Sequence, residues 1–61
     1  MRTATLRSSG RKFSIRIQDA AGQVRDTPEA GRVELKKELE KLKAAGFECF
    51  NEKRGGKLVR V

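Results

Sequence analysis

The sequence predicts an α+β domain of two layers, ββαββ, with a four-stranded sheet made of two hairpins and one helix packed on one of its faces. Three observations predict it. Residues 12–18, KFSIRIQ, alternate strictly between apolar and polar side chains, the period of a half-buried strand. Leu35, Leu39 and Leu42 fall on one stripe of a helical period, in a segment opened by a proline and closed by a glycine. Residues 47–61, FECFNEKRGGKLVRV, carry two short apolar runs around a basic, glycine-bearing break, as hairpins do.

The first hairpin spans residues 2–18. RTATLR alternates small apolar and polar residues and leads into SSGR, a turn cluster. Phe13, Ile15 and Ile17 face one way; Ser14, Arg16 and Gln18 face the other. An even-length turn at residues 8–11 pairs Leu6 with Phe13 and Ala4 with Ile15. The apolar side chains then share a face, and Thr5, Arg7, Lys12, Ser14 and Arg16 share the opposite one. Residues 19–27 read as a loop by composition.

The helix is expected over residues 28–45. Thr27 can cap its free N–H groups, Pro28 has no N–H to satisfy at the first position, and Glu29 suits the positive end of the dipole. Gly46 ends it in a left-handed conformation. Gly31 continues the leucine stripe, and Val33 lies almost opposite it. The pairs Glu34–Lys37, Lys36–Glu40, Glu38–Lys41 and Glu40–Lys43 each contribute about 0.2–0.5 kcal/mol to the helix. The expected core is Leu6, Phe13, Ile15, Ile17, Leu35, Leu39, Leu42 and Phe47, with part of the last hairpin.

The second hairpin, residues 47–61, has two registers open to it. A turn with an even number of residues (55–56, or 53–56) puts Phe50 on the face of Val59 and Val61, and Phe47 and Cys49 with Leu58 and Arg60. An odd turn at residues 54–56 buries Phe47, Cys49, Val59 and Val61 and sends Phe50, Leu58 and Arg60 to the other face. Two adjacent glycines permit either. The odd turn is favoured because it keeps the Arg60 charge outside.

At 61 residues the chain forms one domain. A domain this small buries only about 60% of the surface its unfolded form exposes. One cysteine and no histidine leave neither an internal disulfide nor a zinc ligand set to staple it, so no metal or cofactor is implied. No apolar run approaches the roughly 20 residues that cross a bilayer, and MRTATLRSSG lacks the apolar stretch of a secretory signal. With its lone thiol, this predicts a cytoplasmic protein without a membrane role.

Net charge is +7, which attracts polyanions before anything specific happens. Residues 1–27 carry six basic and two acidic side chains, residues 28–46 five and four, and residues 47–61 four and two. The excess therefore sits on the strands and turns, and the helix is nearly neutral.

A single helix covers one face of a sheet, and the other face should carry Arg7, Lys12, Arg16, Phe50, Leu58 and Arg60. An aromatic ring among arginines is a stacking platform for nucleotide bases, worth about 1–3 kcal/mol per base. Against that reading, Phe50 and Leu58 also suit a small second cluster under a solvated basic face. Lys53, Arg54 and Lys57 in the KRGGK turn, with Arg11 and Lys12 beside Gly10, could hold phosphates, though either set also serves as a plain turn tip. KRGGK is not a nucleotide-binding P-loop, which needs wider glycine spacing and a Lys-Ser/Thr ending.

Catalysis has little to build on. Without histidine the usual general base near neutral pH is missing, and Cys49 reads as a core thiol with nothing to activate it. The expected role is a non-catalytic module that contacts RNA or DNA. The alternative is a small inhibitor or adaptor, of the kind phages and mobile elements encode, docking on an acidic protein surface. Pairing across a sheet edge would build a homodimer.

The stretch KLKAAGFECFNEKRGGKLVRV, with FSIRI upstream, resembles half of a SPOR repeat. That family builds strand–helix–hairpin units and binds bacterial cell-wall glycan on its sheet. The likeness lies in a helix ending at Gly46, the aromatic Phe47, and a glycine-turned hairpin closing on Val-Arg-Val. The second half of the repeat is absent, so glycan binding is not carried over. Ala-Gly-Phe before a hairpin is also similar to small HicA-type RNA-cleaving toxins, but the histidine they need is missing here.

Overall fold

The computed structural model describes residues 2–61, and at Ser9 the backbone alone. Among the described residues, one helix lies on a mixed sheet of five strands, where four were expected. In chain order these are β1 (Thr3–Ser9), β2 (Lys12–Gln18), β3 (Val24–Asp26), α1 (Arg32–Ala44), β4 (Glu48–Glu52) and β5 (Leu58–Arg60). Their spatial order is β3-β2-β1-β4-β5. Neighbours run antiparallel except β1 and β4, which are parallel.

The first hairpin turns on two residues, Gly10 and Arg11, because Ser9 lies opposite Lys12. Gly10 supplies a φ of 65° at the first turn position, the sign pattern of a type II′ turn. Leu6 therefore pairs with Ile15 and Ala4 with Ile17, two residues away from the expected register. Each residue keeps its expected face, because an even shift preserves the alternation.

The third strand lies inside the expected loop. Asp19 accepts from the N–H groups of Ala21 and Gln23 through its Oδ1, and its carbonyl from Gly22. That side-chain turn folds residues 24–26 back onto β2. The segment continues beside β2 past Asp26. Thr27 exchanges two bonds with the backbone of Ile15, through its N–H and its Oγ1 (both 2.9 Å), and Ala30 and Phe13 exchange N–H···O=C bonds. Residues 27–29 thus lie opposite only 14 and 15, with Pro28 in the bulge, where its missing N–H costs nothing.

Thr27 is consequently not a helix cap. The helix starts at Arg32 after Gly31, which makes no side-chain capping bond. Its C-terminus matches expectation: Gly46 has a φ of 97°, its N–H reaches the Lys43 carbonyl, and Phe47 N–H reaches the Leu42 carbonyl. This is a Schellman closure. Of the four charged pairs expected on the helix, Glu38–Lys41 closes among the described residues, at 3.5 Å.

The core comprises Ala4, Leu6, Ile15, Ile17, Leu35, Leu39 and Cys49. Phe13, Leu42 and Phe47, expected within it, pack at its margin and stay partly exposed. The helix rests mainly on β1, β2 and β4, the three central strands. Among the described residues, no helix is long and apolar enough to cross a membrane.

Candidate nucleic-acid interface

Phe50 lies opposite Arg60 and Glu52 opposite Leu58, a register that closes with Lys53 N–H on the Lys57 carbonyl at 2.7 Å. The turn holds residues 54–56, an odd number, and Gly55 and Gly56 both sit at a φ of 79°. Only glycine adopts two such residues in succession without strain. Phe50, Leu58 and Arg60 therefore share the face away from the helix, with Thr5, Arg7, Ser14 and Arg16. Cys49, Val59 and Val61 share the helix side, but Val59 and Val61 remain 42% and 50% exposed because the helix packs mainly on the central strands.

No segment of the described chain covers the open face, yet it is not a bare cationic surface. Arg7 Nε donates to Glu52 Oε2 at 2.8 Å, Arg16 Nε lies 3.3 Å from Asp26 Oδ1, and an Arg60 guanidinium nitrogen lies 3.4 Å from Glu48 Oε1. Each partner comes from a neighbouring strand on the same side of the sheet. Asp26 reaches Arg16 only because residues 24–26 form a strand. The three arginines are therefore matched by three carboxylates, and Phe50 between them is half-buried. A shallow dish on this face is lined by Thr5, Arg7, Arg16, Glu52, Gly56 and Leu58. Its charged lining is the Arg7–Glu52 pair with Arg16, so a nucleic acid there would have to displace ion pairs.

Lys12, on the same face by alternation with Ser14 and Arg16, makes no ion pair among the described residues and sits at the turn end of β2, where the remaining candidate cations gather. β1 and β4 are parallel neighbours, so their C-terminal ends lie at one end of the sheet, and each runs into a glycine turn there. The turn after β1 carries Arg11 and leads into Lys12; the turn after β4 carries Lys53, Arg54 and Lys57. All five are exposed, and among the described residues none makes an ion pair. Glu52, the nearest acid along the chain, is engaged by Arg7. The Phe13–Ala30 bridge brings the start of α1 to the same end, with Arg32 and the exposed acids Glu29 and Glu34.

The predicted site thus divides in two: Arg7, Arg16 and Arg60 are spent on neighbours with Phe50 among them, while Arg11, Lys12, Lys53, Arg54 and Lys57 are free. Reading the strands separately missed the division, because it depends on which strands are adjacent. Another arginine is tied up at the opposite end. Arg2 stacks over Phe47, 4.8 Å from the ring centroid, and donates to the Ala45 carbonyl at 3.0 Å, closing the helix C-terminus.

Cys49 lies buried between β4 and the helix, with its Sγ 3.5 Å from the Leu39 carbonyl. Burial pushes its thiol above the ordinary value, against a smaller opposing pull from Lys43. The thiolate needed for nucleophilic chemistry is disfavoured there.

No protein-family model, curated protein or solved structure matches the chain. The likenesses of its helix-to-hairpin junction to other families gain no support from these comparisons.

Proposed function

We propose that the chain is a small, non-catalytic binding module that engages nucleic acid through the turn end of its sheet. The observation that carries this reading is the parallel pairing of β1 with β4, which sets two glycine turns side by side with Arg11, Lys12, Lys53, Arg54 and Lys57 on or next to them, none in an ion pair among the described residues. Lysine and arginine on exposed turns fit phosphate oxygens, and binding of this kind is driven by counterion release. Phosphate contacts position a protein without reading sequence, so RNA and DNA of unrelated sequences should compete with one another. The buried thiol suits a reducing compartment such as the cytoplasm.

Fluorescence anisotropy with short oligonucleotides across a salt series tests the reading. If all five cations meet phosphates, log affinity falls against log salt with a slope of about −3.5 for a single strand and about −4.5 for a duplex. Lys53→Glu with Arg54→Glu should abolish measurable binding, whereas Arg16→Ala, which releases Asp26, should weaken it slightly. Neutralising one turn cation should reduce the slope by about one. An absence of binding at low salt, or a flat salt response, would overturn the proposal and favour an acidic protein surface as the partner.

A further inference from the structure

The two free edges of the sheet offer a neighbour different things. At β5, Val61 N–H bonds to the Cys49 carbonyl and Lys53 N–H to the Lys57 carbonyl. Residues 57, 59 and 61 thus turn their backbone groups toward β4, and by alternation Leu58 and Arg60 turn theirs outward. Large apolar side chains flank this edge on both faces: Val59 and Val61 on the helix side, and Leu58, 52% exposed, on the other.

At β3, Asp19 N–H bonds to the Gln23 carbonyl and Thr27 N–H to the Ile15 carbonyl. The outward backbone groups there belong to Val24 and Asp26, with Arg25 between them. A symmetric pairing that uses both outward residues is centred on Arg25 and would set it directly against its own copy, and like charges so placed repel. A β3-to-β5 contact would put Arg25 against Val59 and would not close on itself. In the register that uses both outward residues, β5 is self-complementary and β3 is not.

We propose that β5 pairs antiparallel with β5 of a second copy, about a two-fold axis through Val59, joining the two sheets into one. Leu58 then forms a hydrogen-bonded pair with Arg60 of the second copy, and the reciprocal pair follows by symmetry. Val59 meets Val59 in the non-hydrogen-bonded position, where Cα atoms come within about 4.5 Å. Arg60 faces a leucine and not another arginine, and keeps its contact with Glu48. The contact is one short strand wide, below the roughly 1,200 Å² of total burial that marks stable complexes. Each copy also carries +7. The dimer is therefore weak and concentration-dependent, and added salt strengthens it by screening the repulsion. That response is opposite in sign to the one phosphate binding gives, so the two proposals fail separately.

Sedimentation equilibrium and cysteine cross-linking test it together. The expected results are a dimer that grows with protein concentration and with salt, and a Leu58→Pro variant that stays monomeric. Proline at 58 removes an outward N–H and no internal bond, and Lys57 already sits at φ −73°, ψ 127°, a conformation that proline tolerates before it. In a Cys49→Ala background, Val59→Cys should oxidise to a disulfide-linked dimer well ahead of Val61→Cys, which the register places opposite residue 57 of the second copy. A parent chain that stays monomeric at all concentrations would overturn the proposal. So would a Leu58→Pro variant that associates like the parent, or equal cross-linking at 59 and 61.

Discussion

Gly46 joins three functions in one residue. Its φ of 97° closes the helix, its position delivers Phe47 to the core margin, and its missing Cβ leaves room for Arg2. A Cβ there would meet an Arg2 guanidinium nitrogen at 3.0 Å. Alanine at 46 therefore pays for a left-handed backbone, about 1–2 kcal/mol, and also displaces Arg2 from Phe47 and the Ala45 carbonyl. Urea denaturation of Gly46→Ala should show a loss of at least that size; unchanged stability would contradict this account of the closure. The open-face arginines teach a different lesson at the same scale. Exposed ion pairs contribute little to stability, about 0–1 kcal/mol each, but they decide which charges remain available to a partner.

Among the elements, the helix start shows how tertiary hydrogen bonding overrides a local motif. Thr-Pro-Glu is a good helix opening by itself. Here the free edge of β2 is satisfied instead by residues 24–30, with Thr27 serving Ile15, so the helix begins four residues after Pro28. Gly31 is left at the cap position with extended backbone and no side chain to accept a bond, and a Cβ there would meet nothing within 4 Å. Gly31→Ser should raise the unfolding free energy by about 0.5–1 kcal/mol, by adding a cap and reducing the freedom of the unfolded chain. A decrease would mean that the helix does not start there. The β3 strand was hidden for a related reason. DAAGQVRDT contains a turn signal in Asp19 and Gly22, but its strand is short, with no buried residue, and nothing alternates strongly enough to mark it.

For the whole molecule, local pattern was enough to show the fold class, the faces of β1 and β2, the helix stripe and its glycine stop. The odd turn of the last hairpin followed from keeping Arg60 out of the core. None of that reveals which strands lie side by side, and the charge map depends on it. Parallel pairing of β1 with β4 sets the two glycine turns together, while adjacency of β2 with β3 and of β4 with both β1 and β5 neutralises the open face. The positive charge therefore lies at one end of the sheet and not across it.

Titration of isotopically labelled protein with a short single-stranded oligonucleotide at low salt, followed by amide chemical shifts, tests this directly. The expected shifts concentrate at Gly10, Arg11 and Lys12 and at residues 53–57, leaving Thr5, Arg16 and Phe50 nearly unmoved. Shifts centred on Phe50 and its flanking arginines, or spread evenly over the molecule, would contradict a binding surface at the turn end.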